Sequence, residues 1–202
     1  MELFKKITVG VALYAAVSLL AILFLGEVIA LDKFIFLAVN SFTNSLLNSA
    51  FFLITFTGST VFWLLAIILM WTEKKKKVSM YLLIAFAIDS LSLALLKSLF
   101  YRPRPSQSLS GIKLLNFDIE LGPSFPSGHT QRAFSGAVVL GTFFKKLRIP
   151  LIIIAVLVGI SRIYTGAHFP LDVLAGAING ILLGMTALTF PYKRLQKSLE
   201  SV

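Results

Sequence analysis

The chain has 202 residues, of which 57% are hydrophobic and only 14% charged. That balance is too apolar for an ordinary soluble domain, and the apolar residues fall in long blocks instead of the short period of a soluble core. The net charge of +10 would suit nucleic acid, but the basic residues form no single binding face. They sit in short clusters between apolar runs, as membrane topology places them, so we set a nucleic-acid partner aside. With no cysteine in the chain, a disulfide framework or a cysteine metal site is ruled out.

Crossing a bilayer takes roughly 20 predominantly apolar residues. Six segments qualify or nearly qualify: Ile7–Leu25, Phe51–Trp71, Val78–Phe100, Ser127–Phe144, Ile149–Tyr164 and Pro170–Phe190. The first follows Lys5 and Lys6 like a signal-peptide core. It lacks a small-x-small cleavage site and further spans follow, so we read it as an uncleaved helix. Leu31–Ser49 is too polar to span. Ser41, Asn44, Ser45 and Asn48 fall on one helical face, and Leu31, Ile35, Val39, Phe42 and Leu46 on another. That pattern predicts an amphipathic helix lying in the membrane interface. Asp89 and Lys97 interrupt the third segment. Tyr101–Phe125 is the one long loop, rich in Pro, Ser and Gly, and loops of that length are usually functional. The whole reads as an all-α integral membrane protein of six spans, a single domain over 1–202.

Orientation follows from the Lys/Arg bias. With a cytoplasmic N-terminus, one side collects Lys5, Lys6, Lys74 to Lys77, Lys145, Lys146, Arg148, Lys193, Arg194 and Lys197, twelve of nineteen basic residues. Both termini are therefore expected in the cytoplasm of a multi-pass cell-membrane protein. Most of the remaining seven need another explanation, and they concentrate where chemistry is possible. Lys97 and Arg104 follow the third segment. Ser127, Gly128 and His129 open the fourth. Arg162 closes the fifth, and His168 and Asp172 open the sixth. Ionisable groups beside hydrocarbon are costly, so each is a functional candidate by default.

Three cations converging on one place suit an anion with several oxygens, because Arg offers a fork and Lys a point charge. Pro126-Ser127-Gly128 before an apolar helix adds backbone N–H groups at a positive helix end. The only two histidines of the chain can divide the work of nucleophile and general acid. Asp172 stands four residues after His168 and shares its face if the helix is continuous; if Pro170 starts the helix, Asp172 lies in the first turn and still reaches back. In both cases the carboxylate can hold the imidazole in one tautomer.

These residues resemble the type 2 phosphatidic acid phosphatases, or lipid phosphate phosphatases. Lys97-x6-Arg104-Pro105, then Pro126-Ser127-Gly128-His129, then Ser161-Arg162-x5-His168-x3-Asp172 match the three signatures of that family in order. Thr130 stands where the family usually has Ala. The resemblance implies that His168 attacks phosphorus and forms a phosphohistidine, oriented by Asp172. It implies that His129 protonates the leaving group, and that Lys97, Arg104, Ser127, Gly128 and Arg162 hold the phosphoryl oxygens. It further implies no metal, and no other cofactor and no obligate protein partner are expected; the Lys/Arg orientation puts the site at the extracytoplasmic face. Expected substrates are phosphatidylglycerophosphate or a polyprenyl diphosphate such as undecaprenyl diphosphate, with phosphatidic acid and diacylglycerol diphosphate also possible. The lipid tail would stay in the bilayer, since pulling it into water costs about 0.8 kcal/mol per CH₂.

Plainer readings stand beside these. Lone interfacial histidines commonly cap helix ends, Ser127 can serve only as an N-cap, and interfacial Lys and Arg can snorkel. Arg102 reads as an outer-rim charge, and Asp118 and Glu120 as solvated loop charges. Asp89 and Arg132 lie deeper and match no signature; they are expected to pair with each other or with neighbouring polar groups inside the bundle, in a structural role. Gly136, Gly141, Gly176, Gly180 and Gly184 suit close helix contacts, and Lys74–Lys77 suits a topology signal. A lipid or anion transporter would use the cations but would not need the His168/Asp172 pairing. A vanadate-dependent haloperoxidase shares the signatures but is soluble, against six spans.

Overall fold

The computed structural model describes residues 25–42, 44–115 and 122–191. The first predicted segment up to Phe24, and Asp118, Glu120, Lys193, Arg194 and Lys197, lie outside the described residues. Among the described residues every regular element is helical: α1 Leu25–Ser41, α2 Ser45–Phe56, α3 Thr60–Thr72, α4 Lys76–Leu99, the short α5 Pro105–Ser108, α6 Gly128–Phe143, α7 Arg148–Tyr164 and α8 Pro170–Leu188. A 3₁₀ turn, Lys145–Leu147, leads into α7. Among the described residues three helical stretches, Lys76–Leu99, Lys145–Tyr164 and Pro170–Leu188, are long and apolar enough to cross a membrane. Counting the bent pair α1–α2 as one span makes four. With α6 only 16 residues long, its rise is about 24 Å.

Two expectations are corrected. Phe51–Trp71 is not one helix. Thr57 caps the end of α2, its hydroxyl donating to the Ile54 carbonyl at 2.7 Å. Ser59 caps the start of α3, accepting the Phe62 N–H at 3.1 Å. Both hydroxyls satisfy backbone groups that a helix end leaves open, so the break is stable inside an apolar run. Gly58 between them faces α6 so closely that a Cβ there would lie 2.8 Å from the His129 carbonyl oxygen. Leu31–Ser49 is likewise two helices, bent by 118° between 29–41 and 45–56, with Asn44 capping the second through the Leu47 N–H at 2.8 Å.

α1 still has two distinct faces. Asp32, Phe36 and Asn40, spaced by one turn each, are buried, while Leu31, Phe34 and Leu37 are exposed. Asn40 latches the helix down, donating to the Lys113 and Tyr164 carbonyls at 2.8 and 2.9 Å and accepting the Lys113 N–H at 2.9 Å.

The core of the molecule is the packing of α6 on α8, its most extensive helix pair, with α7 and α4 beside them. α8 presents Gly176, Gly180 and Gly184, and a Cβ at each would meet the carbonyl oxygens of Ser127, Gln131 and Ser135 at 2.6, 2.2 and 2.7 Å. Backbones in contact at this range leave no room for any side chain, which is how membrane helices gain packing without a hydrophobic driving force. Trp63, Val78, Tyr81, Leu82, Ala85, Val139 and Ala187 form the main apolar cluster. Outward faces stay apolar: Leu64, Leu65, Ile68 and Leu69 on α3, and Ile149, Ile152, Ile153 and Val156 on α7, are all exposed. Soluble monomers rarely expose apolar side chains in such rows. The chain is a multi-pass membrane protein.

Candidate active site

The site forms where the ends of α4, α7 and α8 meet the loops around Arg102–Arg104 and Gly122–Ser127. The turn after α7 carries His168. Its backbone N–H donates to the Arg162 carbonyl at 3.1 Å, and the Ala167 N–H donates to the same oxygen at 3.1 Å. Pro170 then opens α8, fitting the first helical position where no N–H is needed. So the second of the two sequence alternatives holds: Asp172 lies in the first turn. Its Oδ2 accepts the Phe169 N–H at 2.9 Å, closing one half of a capping box.

His168 and Asp172 are both fully buried. His168 Nδ1 lies 3.6 Å from Asp172 Oδ2, an ion-pair distance longer than a good hydrogen bond. Ser124 stands beside both. Its hydroxyl donates to Asp172 Oδ2 and lies 3.4 Å from His168 Nδ1. Sequence reasoning missed Ser124 entirely; it matches no signature, and only the fold carries it 48 positions along the chain to Asp172.

The opposite ring nitrogen faces a cation. Arg104 Nη1 lies 3.5 Å from His168 Nε2. The same guanidinium donates to the Ala167, Gly122 and Pro123 carbonyls at 3.0, 3.0 and 3.3 Å, so its position is fixed from three sides. Lys97, in the last turn of α4, donates to the Pro123 carbonyl at 2.7 Å, which draws it to the same loop. Arg162 ends α7, fully buried, where a cation complements the negative helix end. It donates to Thr55 of α2 at 2.8 Å, a second partner the sequence did not announce.

Ser127 takes the N-cap position of α6 with no side-chain capping bond, its hydroxyl accepting from Thr130 at 3.0 Å. Its backbone N–H donates to the Asp172 carbonyl at 3.0 Å, which ties the start of α6 to the start of α8. Gly128 packs under Leu93, and half-buried His129 occupies the first turn behind Gly58. Lys97, Arg104, His168 and Asp172 are thus joined by direct contacts or a shared carbonyl. Ser127, Gly128 and His129 line up at the adjoining helix end.

Two other expectations meet the structure differently. Arg102 is not a rim charge. Its guanidinium is bonded to Asp172 Oδ1 at 2.6 Å and to Asp32, with the Phe169 ring 4.4 Å beneath it. Arg102 is followed by Pro and reads as exposed loop; its two acid partners each lie 70 positions away. Asp89 and Arg132 do pair, at 3.5 Å, inside the bundle and apart from these residues. Trp63, Ser135 and Gly136 line the same small cavity. Among the described residues no three His, Asp or Glu side chains gather as a metal-ligand set.

A buried imidazole with a carboxylate behind one nitrogen and a guanidinium beside the other is an arrangement suited to reaction with an anionic group. A family model described as the PAP2 superfamily matches residues 78–196, and the chain belongs to that family. It is 36% identical over 125 residues to a protein of Bacillus licheniformis named bacitracin transport permease protein BcrC, covering 62% of this chain and 59% of that one. It is 34% identical over 137 residues to an undecaprenyl-diphosphatase of Sulfolobus acidocaldarius, covering 64% and 65% respectively. The match therefore spans under two thirds of these relatives' length. The crystal structure of a transmembrane PAP2-type phosphatidylglycerolphosphate phosphatase from Bacillus subtilis superposes with a TM-score of 0.73 at 30% identity, over 95% of this chain and 96% of that one.

Proposed function

We propose that this protein hydrolyses lipid phosphates through a phosphohistidine on His168. The observation that carries the reading is the placement of His168 between Asp172 with Ser124 on its Nδ1 side and Arg104 on its Nε2 side. Nε2 is then the attacking atom. It forms a bond to phosphorus as the phosphorus–oxygen bond to the leaving group breaks, and His129 gives that oxygen a proton. A water then attacks phosphorus, losing a proton to His129, and the phosphorus–nitrogen bond breaks to release phosphate. Asp172 stabilises the imidazole while it carries positive charge. Lys97, Arg104, Arg162, Ser127 and the Gly128 backbone would hold the phosphoryl oxygens and the charge that develops on them.

Phosphatidylglycerophosphate is the proposed substrate, giving phosphatidylglycerol, supported by the likeness to the Bacillus subtilis phosphatase over nearly the whole chain. A polyprenyl diphosphate such as undecaprenyl diphosphate is the second reading, supported by the Sulfolobus relative. Both keep their tails in lipid and enter from the side. The proposed layout has six spans: the segment Ile7–Leu25, the broken α2–α3, then α4, α6, α7 and α8. Both termini are cytoplasmic and the site extracytoplasmic.

The test is phosphate release in detergent from phosphatidylglycerophosphate, undecaprenyl diphosphate, phosphatidic acid and diacylglycerol diphosphate, with excess chelator. Wild type should be active, and His168→Ala, His129→Ala and Asp172→Asn should each lose at least about a hundredfold, the general acid–base scale. Activity that survives His168→Ala, or that chelator alone abolishes, refutes the mechanism. Lipid binding with no hydrolysis by wild type would favour a transporter.

A further inference from the structure

The reaction as proposed uses Asp172 but leaves two of its charged neighbours without a role. Arg102 bridges Asp172 Oδ1, at 2.6 Å, and Asp32 on α1. Asp32 is 2% exposed and accepts the Leu171 N–H at 2.8 Å, so it also caps the first turn of α8. The Arg102 side chain, 22% exposed, is clamped flat against Phe169. Its own carbonyl accepts the Ser124 N–H at 2.8 Å, which places the Ser124 hydroxyl on Asp172. Arg102 thus fixes both oxygens of Asp172, one directly and one through Ser124. The family match begins at residue 78, so Asp32 lies outside it.

We infer that Asp32 and Arg102 are positioning residues for the His168–Asp172 pair, and that α1 belongs to the catalytic machinery through them. This rests on the proposed role of His168. Physically, Arg102 divides its charge between two carboxylates. With both in place Asp172 Oδ1 is held by Arg102, and Arg102 in turn is held by Asp32. Among the groups facing His168 are Asp172 and Ser124 on one side and Arg104 on the other, with Arg162 contributing its carbonyl. Losing Arg102 removes a cation near this set and leaves two buried carboxylates facing each other. Losing the Asp32 charge instead turns all of Arg102 onto Asp172. The two changes alter the net charge beside the imidazole in opposite senses.

The test compares wild type, Arg102→Gln, Arg102→Lys, Asp32→Asn and His168→Ala, each first shown to be folded by its thermal midpoint in detergent. The readouts are kcat, KM and the pH profile of phosphate release from a short-chain lipid phosphate. Arg102→Gln should lower kcat more than tenfold with KM within about threefold, and Arg102→Lys should recover part of the loss. The acid limb of kcat/KM should move up in pH for Arg102→Gln and down for Asp32→Asn. Should Arg102→Gln fail to fold, the downward shift in Asp32→Asn still decides the question. Folded variants with unshifted profiles and kcat within twofold overturn the inference. So does a KM rise with kcat intact, which would make Arg102 a direct substrate contact. If His168→Ala stays active, the reading of His168 fails first; if it is dead while the other variants behave as wild type, only this inference fails.

Discussion

At the scale of residues, the site divides into what neighbours along the chain can announce and what only folding can. His129, His168 and Asp172 stand inside ordered signatures whose spacing implies their chemistry. Ser124, Asp32 and Thr55 do not, because a serine in a Pro-rich loop, an acid on an interfacial helix and a threonine in an apolar run each have plainer readings. Ser124→Ala tests how much the unannounced part matters. A hydrogen bond to a charged group is worth about 1.5–3 kcal/mol. Its loss at Asp172 is expected to lower kcat by roughly tenfold or more, measured by phosphate release; an unchanged kcat would leave Ser124 as packing. Asp89 and Arg132 were legible as charges that need partners inside the bundle, and of the two alternatives, each other or neighbouring polar groups, the structure shows the mutual pair. Asp89 has 1% of its side chain exposed and Arg132 14%. Arg132→Gln therefore strands the more buried charge and should cost more stability than Asp89→Asn, up to about 3–5 kcal/mol. The double variant should regain part of it. Thermal midpoints in detergent check the order, and the reverse order would contradict it.

At the scale of elements, long and largely apolar runs made α4, α6, α7 and α8 legible to within a few residues. Hydropathy failed where the break is built from groups it scores as nearly neutral. Thr57-Gly58-Ser59 ends one helix and starts another by hydroxyl capping, while the flanking residues stay apolar. The consequence reaches the site, since the end of α2 carries Thr55 to Arg162. The glycine row of α8 was legible from its four-residue spacing, and the structure assigns α6 as its partner. Gly180→Ala gives the direct test. Ala favours a helix interior over Gly by about 1 kcal/mol, but its Cβ would lie 2.2 Å from the Gln131 carbonyl oxygen. Because that obstacle is backbone, the helices must part, and overpacking of this kind costs about 1–3 kcal/mol. A lowered thermal midpoint is expected, and a raised one would show that the pair can slide apart freely.

For the whole molecule, the charge pattern and the position of the site should agree. Lys74 to Lys77 and Lys145, Lys146 and Arg148 cluster at the turns that join α3 to α4 and α6 to α7 and at the first residues of α4 and α7, at the opposite helix ends from His168. Their side chains partly fold over aromatic rings, with Lys75 5.3 Å from Phe144 and Lys77 5.8 Å from Phe143. A chain without cysteine makes the proposed orientation easy to read. Cysteine placed at exposed Tyr101 should react with a membrane-impermeant thiol reagent in intact cells, and cysteine at exposed Lys146 only after permeabilisation. The reverse pattern would invert the topology. The central claim, that His168 carries the phosphoryl group, is tested most directly by rapid acid-free quenching of the enzyme during turnover of a ³²P-labelled lipid phosphate. The account predicts a protein-bound label that is acid-labile, base-stable and absent in His168→Ala. Label that persists in His168→Ala would contradict it.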